Sequence, residues 1–191
     1  MTMGRSELDI HPILNDRYSP RAFADVPVTD TELDAVLEAA RWAPSSMNEQ
    51  PWRFLVTRAG GDGHAELLAG LNPSNHRWAD KAPMLILVMA VRTLSRNGQE
   101  NHHARHDVGM ATAQLTAQAT ALGLGLHILG GFKAEEVRQA FAVPDTLDLV
   151  SVIALGHPGS ADQLPDDLRE RELRRSPRKA LNEIVSYGRL V

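Results

Sequence analysis

Apolar residues recur along this chain with two rhythms, one near the helical period and one of two, which marks a mixed α+β protein. Leu8, Ile10, Ile13 and Leu14 predict a short, inward-facing helix over residues 6–15. Thr29-Asp30-Thr31-Glu32 forms a capping box, followed by Leu33, Val36, Leu37 and Ala40 at helical spacing. That helix should stop ahead of Pro44, because a proline ring disfavours helical geometry in the residue before it. Residues 52–58 alternate like a strand, whereas residues 84–91 are apolar throughout, as in a strand covered on both faces. Helices near residues 63–71 and 75–80 lie between the two. Residues 105–122 make the longest predicted helix, with Gly123 placed as its C-terminal stop. Residues 124–129, 134–141 and 149–155 then read as strand, helix and strand. Roughly four strands result, and their order cannot be read from one sequence.

Two segments point beyond a single chain. On the long helix, Ala111, Leu115, Gln118, Ala119 and Leu122 share one face, and its small residues let two helices approach closely, as at a subunit interface. From Leu164 onward the chain changes character: residues 169–178 are dominated by charge and are expected to bury nothing by themselves. The whole of residues 1–191 reads as one domain, with 164–191 an arm reaching a partner subunit.

Composition narrows the chemistry. At 191 residues, 43% apolar and 23% charged, the chain has the make-up of an ordinary globular domain. A net charge of −4 gives it no general attraction for nucleic acid or anionic lipid. It has no cysteine, which excludes disulfides, thiolate metal sites and thiol nucleophiles, so redox chemistry requires a bound cofactor. The longest apolar run, residues 83–91, is far too short to span a membrane. The first nine residues include Glu7 and Asp9 and lack an apolar centre, so a cytoplasmic protein is expected.

Three stretches carry candidate chemistry. Arg17-Tyr18-Ser19-Pro20-Arg21 offers two guanidinium groups and a hydroxyl, which suit a phosphate dianion but equally a solvated turn. Ala43-Pro44-Ser45-Ser46-Met47-Asn48-Glu49-Gln50-Pro51-Trp52 packs hydroxyls and amides between two prolines: a rigid hydrogen-bonding edge, or only a polar loop. Gly123-Leu124-Gly125 invites a dinucleotide-loop reading, which fails because Ile128 stands where a third glycine is needed and the glycines follow a helix. Gly130-Gly131-Phe132, after an apolar run, lets backbone lie against a flat ring. Asn75 alone reads as a helix cap. His102, His103 and His106, beside Asp107, have metal-ligand spacing, yet no H-E-x-x-H motif or distant third ligand accompanies them; an exposed polar cap is the plainer reading. Arg174, Arg175, Arg178 and Lys179 are interleaved with Glu170, Glu172 and Glu183, which argues against a nucleic-acid patch. No G-x-S-x-G hydrolase motif occurs.

In their order and distances, these stretches resemble the FMN-dependent nitroreductase family over nearly the whole chain. The resemblance implies a mixed, mostly antiparallel sheet flanked by helices, in an intertwined homodimer. It implies Arg17, Tyr18 and Ser19 at the flavin phosphate and ribityl chain, and Arg21 near the pyrimidine. Pro44, Ser45, Ser46, Asn48 and Gln50 would line the flavin bound mainly by the other subunit, and Asn75 would meet the pyrimidine edge. Backbone of Gly130 and Gly131 would face flavin N5, with no catalytic side chain beyond the flavin itself. Many family members carry an acidic residue where this chain has Gly130. Arg178, with Lys179 and Arg175 behind it, would close the phosphate site. The implied activity is hydride transfer from NADH or NADPH, through FMN, to nitroaromatic, quinone or activated-alkene acceptors. Alternatives of similar fold are a dedicated dehydrogenation, dehalogenation or flavin-fragmenting reaction, or a flavin-binding protein without turnover.

Overall fold

The computed structural model describes residues 6, 8–174 and 176–190; residues 1–5 and Glu7 of the N-terminal stretch, and Arg175 of the tail, lie outside them. Four strands form one sheet: β1 (Trp52–Arg58), β2 (Met84–Val91), β3 (Gly125–Leu129) and β4 (Leu147–Gly156). Their order is β1-β2-β4-β3, and all three pairings are antiparallel. Helices cover both faces, which is why β2 is apolar without alternation. Met84, Ile86, Val88 and Ala90 pack under α2 (Asp30–Arg41) and α5 (Ala104–Ala121). Leu85, Leu87 and Met89 face the other layer, built from α3 (His64–Ala69), α4 (Pro73–Ala79), α6 (Ala134–Ala140) and α7 (Asp166–Leu173).

Local signals explain most boundaries. The predicted capping box at the start of α2 is present, with Thr29 and Glu32 bonding reciprocally. Pro73 takes the first position of α4, where its missing N–H goes unneeded, so the helix starts two residues before the expected Asn75. The N-terminal helix is shorter than expected. Only α1 (Pro12–Asp16) forms, started by Pro12 and the His11 side chain, and Leu8, Ile10 and Leu14 are exposed instead of turned inward.

Two further expectations are corrected. Ala111, Leu115 and Ala119 on α5 are buried within the chain, where α2 lies against that helix. The small alanines permit this intrachain approach; the exposed positions of α5 are Arg105, His106, Gly109, Met110, Ala113 and Ala121, and Leu122 of the predicted face is exposed beyond its end. The segment from Leu164, expected as an arm to a partner subunit, begins packed on its own chain, while among the described residues of 169–178 none is buried, as expected. Leu168 of α7 is 1% exposed and packs with Leu164 on the second layer, a contact worth about 2 kcal/mol. The Arg77 fork pairs with Asp167 at 2.8 and 3.0 Å and holds α7 against α4. From Pro177 to Leu190 the side chains are exposed, including Leu181 and Ile184 of α8 (Leu181–Ile184) and Tyr187.

Candidate functional site

The loop 17–21 leaves α1 and lies on β3. Gly125 makes the approach possible: a Cβ there would stand 2.5 Å from the Pro20 ring. His127, two residues further along β3, is 2.9 Å through Nδ1 from the Pro20 carbonyl, so Nδ1–H donates to it. Burial pushes the His127 pKa down to about 4; the Arg21 and Arg17 cations add to the fall, and the bonds to Pro20 and Ser19 oppose it. The ring is therefore neutral at pH 7. It also packs on Trp78 of α4, 4.6 Å between centroids, and Trp78 stacks on Phe23 at 6.4 Å.

A cavity of about 330 Å³ opens beside this loop. Arg17, Tyr18, Ser19 and Arg21 form one wall; Arg171, Arg174 and Arg178 come from α7 and the segment after it. Five guanidinium groups thus surround one carboxylate, that of Glu172. Glu172 accepts the Arg21 backbone N–H at 2.9 Å and lies 3.8 Å from its guanidinium. Burial first, and the neighbouring Arg171 cation second, lower the Arg21 pKa, while Glu172 raises it. Arg17 donates to the Ser19 hydroxyl at 3.3 Å. This donor set fits a phosphate monoester: guanidinium forks match its oxygens, and the surplus of positive charge answers a dianion.

Of the expected clamp, Arg17, Tyr18, Ser19, Arg21 and Arg178 come together here. Lys179 is exposed and does not line the cavity. Arg171, Glu172 and His127 escaped the sequence reading, and Arg174 was grouped with the solvated tail. Arg171 lies on α7, Arg174 is its extended C-cap and Arg178 follows in irregular chain, so no helical periodicity announces the three.

A second cluster sits at the end of β3. The Asn75 side-chain amide donates to the Gly131 carbonyl at 2.9 Å, and the Asn72 N–H donates to the same oxygen at 3.2 Å. Asn72, and not Asn75, is the N-terminal cap position of α4. A Cβ on Gly131 would stand 2.9 Å from the Asn75 amide nitrogen, so backbone alone fits. At Gly130 a Cβ would meet nothing within 4 Å. An acidic side chain would therefore fit there, and its absence leaves open space.

The third cluster, residues 44–50, lies elsewhere. Met47, Asn48 and Gln50 have φ of 55°, 56° and 48°. Left-handed backbone costs a non-glycine residue about 1–2 kcal/mol, least for Asn, so this conformation needs support. The buried Asp107 carboxylate of α5 accepts the Ser46 N–H at 2.9 Å, Ser45 Oγ accepts the Gln50 N–H at 3.0 Å, and Glu49 accepts the Ser95 N–H at 2.8 Å. None of Pro44, Ser45, Ser46, Asn48 or Gln50 lines the arginine cavity. The reason is topological. The loop leads into β1 at one edge of the sheet, while the cavity lies against β3 at the other. Three strand spacings, about 14 Å, separate the edges.

The histidines expected as an exposed polar cap lie at the start of α5. His102 and His106 are exposed, His106 Nδ1 lies 3.1 Å from Asp107, and among the described residues no group of three potential ligands occurs. Nor, among those residues, is any helix long and apolar enough to cross a membrane.

An antiparallel sheet between helical layers thus holds an arginine-walled cavity at one edge and a strained polar loop at the other. The family model described as "Nitroreductase family" matches residues 14–73 and 65–157, and the chain belongs to that family. It is similar to an uncharacterised 15.4 kDa protein of Mycolicibacterium smegmatis, 37% identical over 147 residues, covering 72% of this chain and 96% of that one. It is also similar to an FMN reductase [NAD(P)H] of Bacillus subtilis, 28% identical over 193 residues, covering 91% of this chain and 72% of that one. A crystal structure described as an oxidoreductase containing FMN superposes with a TM-score of 0.93 at 33% identity, over 98% of this chain and 96% of that one.

Proposed function

We propose that this chain is an NAD(P)H-dependent FMN oxidoreductase that completes each flavin site from two copies of itself, acting on nitroaromatic, quinone or activated-alkene acceptors. The carrying observation is the placement of the arginine cavity and the 44–50 loop at opposite sheet edges of one chain. Two copies bring one chain's loop to the other's cavity, which a single chain cannot do without unfolding.

In this reading Arg17, Ser19 and Arg178 hold the phosphate, with Arg171 and Arg174 adding charge. Arg21, braced by Glu172, presents a cation toward the ring's pyrimidine side, where it stabilises negative charge. Asn75 and the Gly131 backbone form a fixed edge at the end of β3, and Ser45, Ser46 and Asn48 of the second copy supply hydroxyls and an amide. When bound, FMN accepts hydride from NADH or NADPH and passes the electrons on. The protein orients both reactants and excludes water, so no general base is required. The exposed Leu181, Ile184 and Tyr187 suit an arm laid across the second copy. A cytoplasmic setting, where NAD(P)H is supplied, agrees with this activity.

The test is purification followed by spectroscopy and assay. A yellow dimer with a flavin band and quinone-dependent NAD(P)H oxidation is expected; a colourless protein that takes up no added FMN contradicts the reading.

A further inference from the structure

Asp107 lies in the first turn of α5, is 3% exposed, and has both carboxylate oxygens engaged. One accepts the Ser46 N–H at 2.9 Å; the other stands 3.1 Å from His106 Nδ1. A buried carboxylate is unfavourable unless hydrogen-bonded, so its presence among the buried residues of α5 calls for a role. What it holds is the backbone of the most strained stretch in the protein. Among the described residues four non-glycine residues have left-handed φ, and three of them are Met47, Asn48 and Gln50.

Neither Met nor Gln prefers that conformation, and the turn's own bonds, from Asn48 N–H to the Ser45 carbonyl and from Gln50 N–H to Ser45 Oγ, tie the loop only to itself. Three bonds reach it from the rest of the fold: Ser46 N–H to Asp107, Ser95 N–H to Glu49, and the exposed Arg53 guanidinium of β1 to the Gln50 carbonyl at 3.1 Å. The Ser46 bond enters from rigid α5, whereas Ser95 belongs to a turn between β2 and α5.

We propose that Asp107 is the positioning residue of this loop: its bond to the Ser46 N–H keeps Met47, Asn48 and Gln50 in their left-handed course, so that the hydroxyl and amide edge is formed before the flavin arrives. The proposal rests on the reading of that loop as flavin-facing. Without Asp107 the three residues relax toward right-handed backbone, and each binding event must reorder them, which lowers affinity by the fraction of loops already ordered.

The test uses the full chain stripped of flavin, with FMN titrated in both oxidised and reduced form, and amide exchange followed over residues 46–50. Asp107→Ala should raise the FMN dissociation constant about tenfold, the loss expected for one charge-assisted bond. It should lower oxidised and reduced affinity alike, since the reordering cost lies in the free protein, and speed exchange at Ser46 in the apoprotein. Asp107→Asn, whose carbonyl still accepts from Ser46, should stay within about threefold of wild type and keep the protection. If Asp107→Ala does not fold, Asp107→Ser, whose hydroxyl stops short of Ser46, replaces it with the same expected result. Arg17→Ala serves as the control for the site itself. A lower melting temperature with unchanged FMN affinity, while Arg17→Ala binds weakly, overturns the role of Asp107 and leaves the site standing. A wild-type protein that binds no FMN overturns both.

Discussion

The Glu172 carboxylate accepts the Arg21 backbone N–H at 2.9 Å across 151 residues of chain, placing the only acidic group of the arginine cavity directly on the loop that bears its clamp. The contact braces loop 17–21 against α7 and also sets one negative charge beside the proposed phosphate position. Glu172→Gln keeps an acceptor for the Arg21 N–H and removes the charge. FMN should then bind a few-fold more tightly at low ionic strength, by roughly 0.5–1 kcal/mol, and the gain should fade in about 0.5 M salt. Titration by flavin fluorescence measures it; weaker binding at low salt would mean that the charge itself orients Arg21.

Arg17→Ala and Arg178→Ala act on the cavity and not on the core. Each should weaken FMN binding about ten- to a hundredfold, the worth of one charge-assisted contact, with little change in apoprotein melting temperature. Retention of full flavin through purification by either variant would remove that residue from the clamp.

His127 makes a statement about acid. Its folded pKa of about 4 lies below its ordinary value of 6.5, so the unfolded chain binds the proton more readily between those limits. Stability contributed by the neutral ring is present above pH 6.5 and is lost as pH falls toward 4, by about 2 kcal/mol at pH 5. Melting temperatures at pH 7 and 5 should therefore converge in His127→Gln relative to wild type. An equal fall in both proteins contradicts the assignment.

Gly130 and Gly131, adjacent in sequence, should respond oppositely to alanine. Gly131→Ala drives a methyl to 2.9 Å from the Asn75 amide and should disrupt its bond to the Gly131 carbonyl, costing about 1–3 kcal/mol and weakening FMN binding. Gly130→Ala meets open space and should change the melting temperature little. Thermal unfolding of the two variants decides it.

Much of this fold is legible from pattern. The unbroken apolar run of β2 requires cover on both faces, and the Thr29–Glu32 box marks the start of α2. Strand order is not legible, because antiparallel pairing of β2 with β4 depends on long-range packing. α7 hid its single buried residue, Leu168, among charges, and with it the three arginines it delivers. His127 was invisible as a polar group inside an apolar strand. Met47 and Gln50 are residues that ordinarily avoid left-handed backbone, so nothing local announced the loop's shape; Asp107, sixty-one residues from Ser46, imposes it.

The shared site is tested most directly by mixing an Arg17→Ala subunit with an Asn48→Ala subunit, each inactive alone. If one chain's cavity meets the other chain's loop, a heterodimer carries both defects in one site and leaves the other intact. With heterodimers verified, activity should recover to about half of wild type per dimer, since one undamaged site keeps its full transition-state stabilisation. Activity that stays flat on mixing contradicts the two-chain site and returns Asn48 to its own chain.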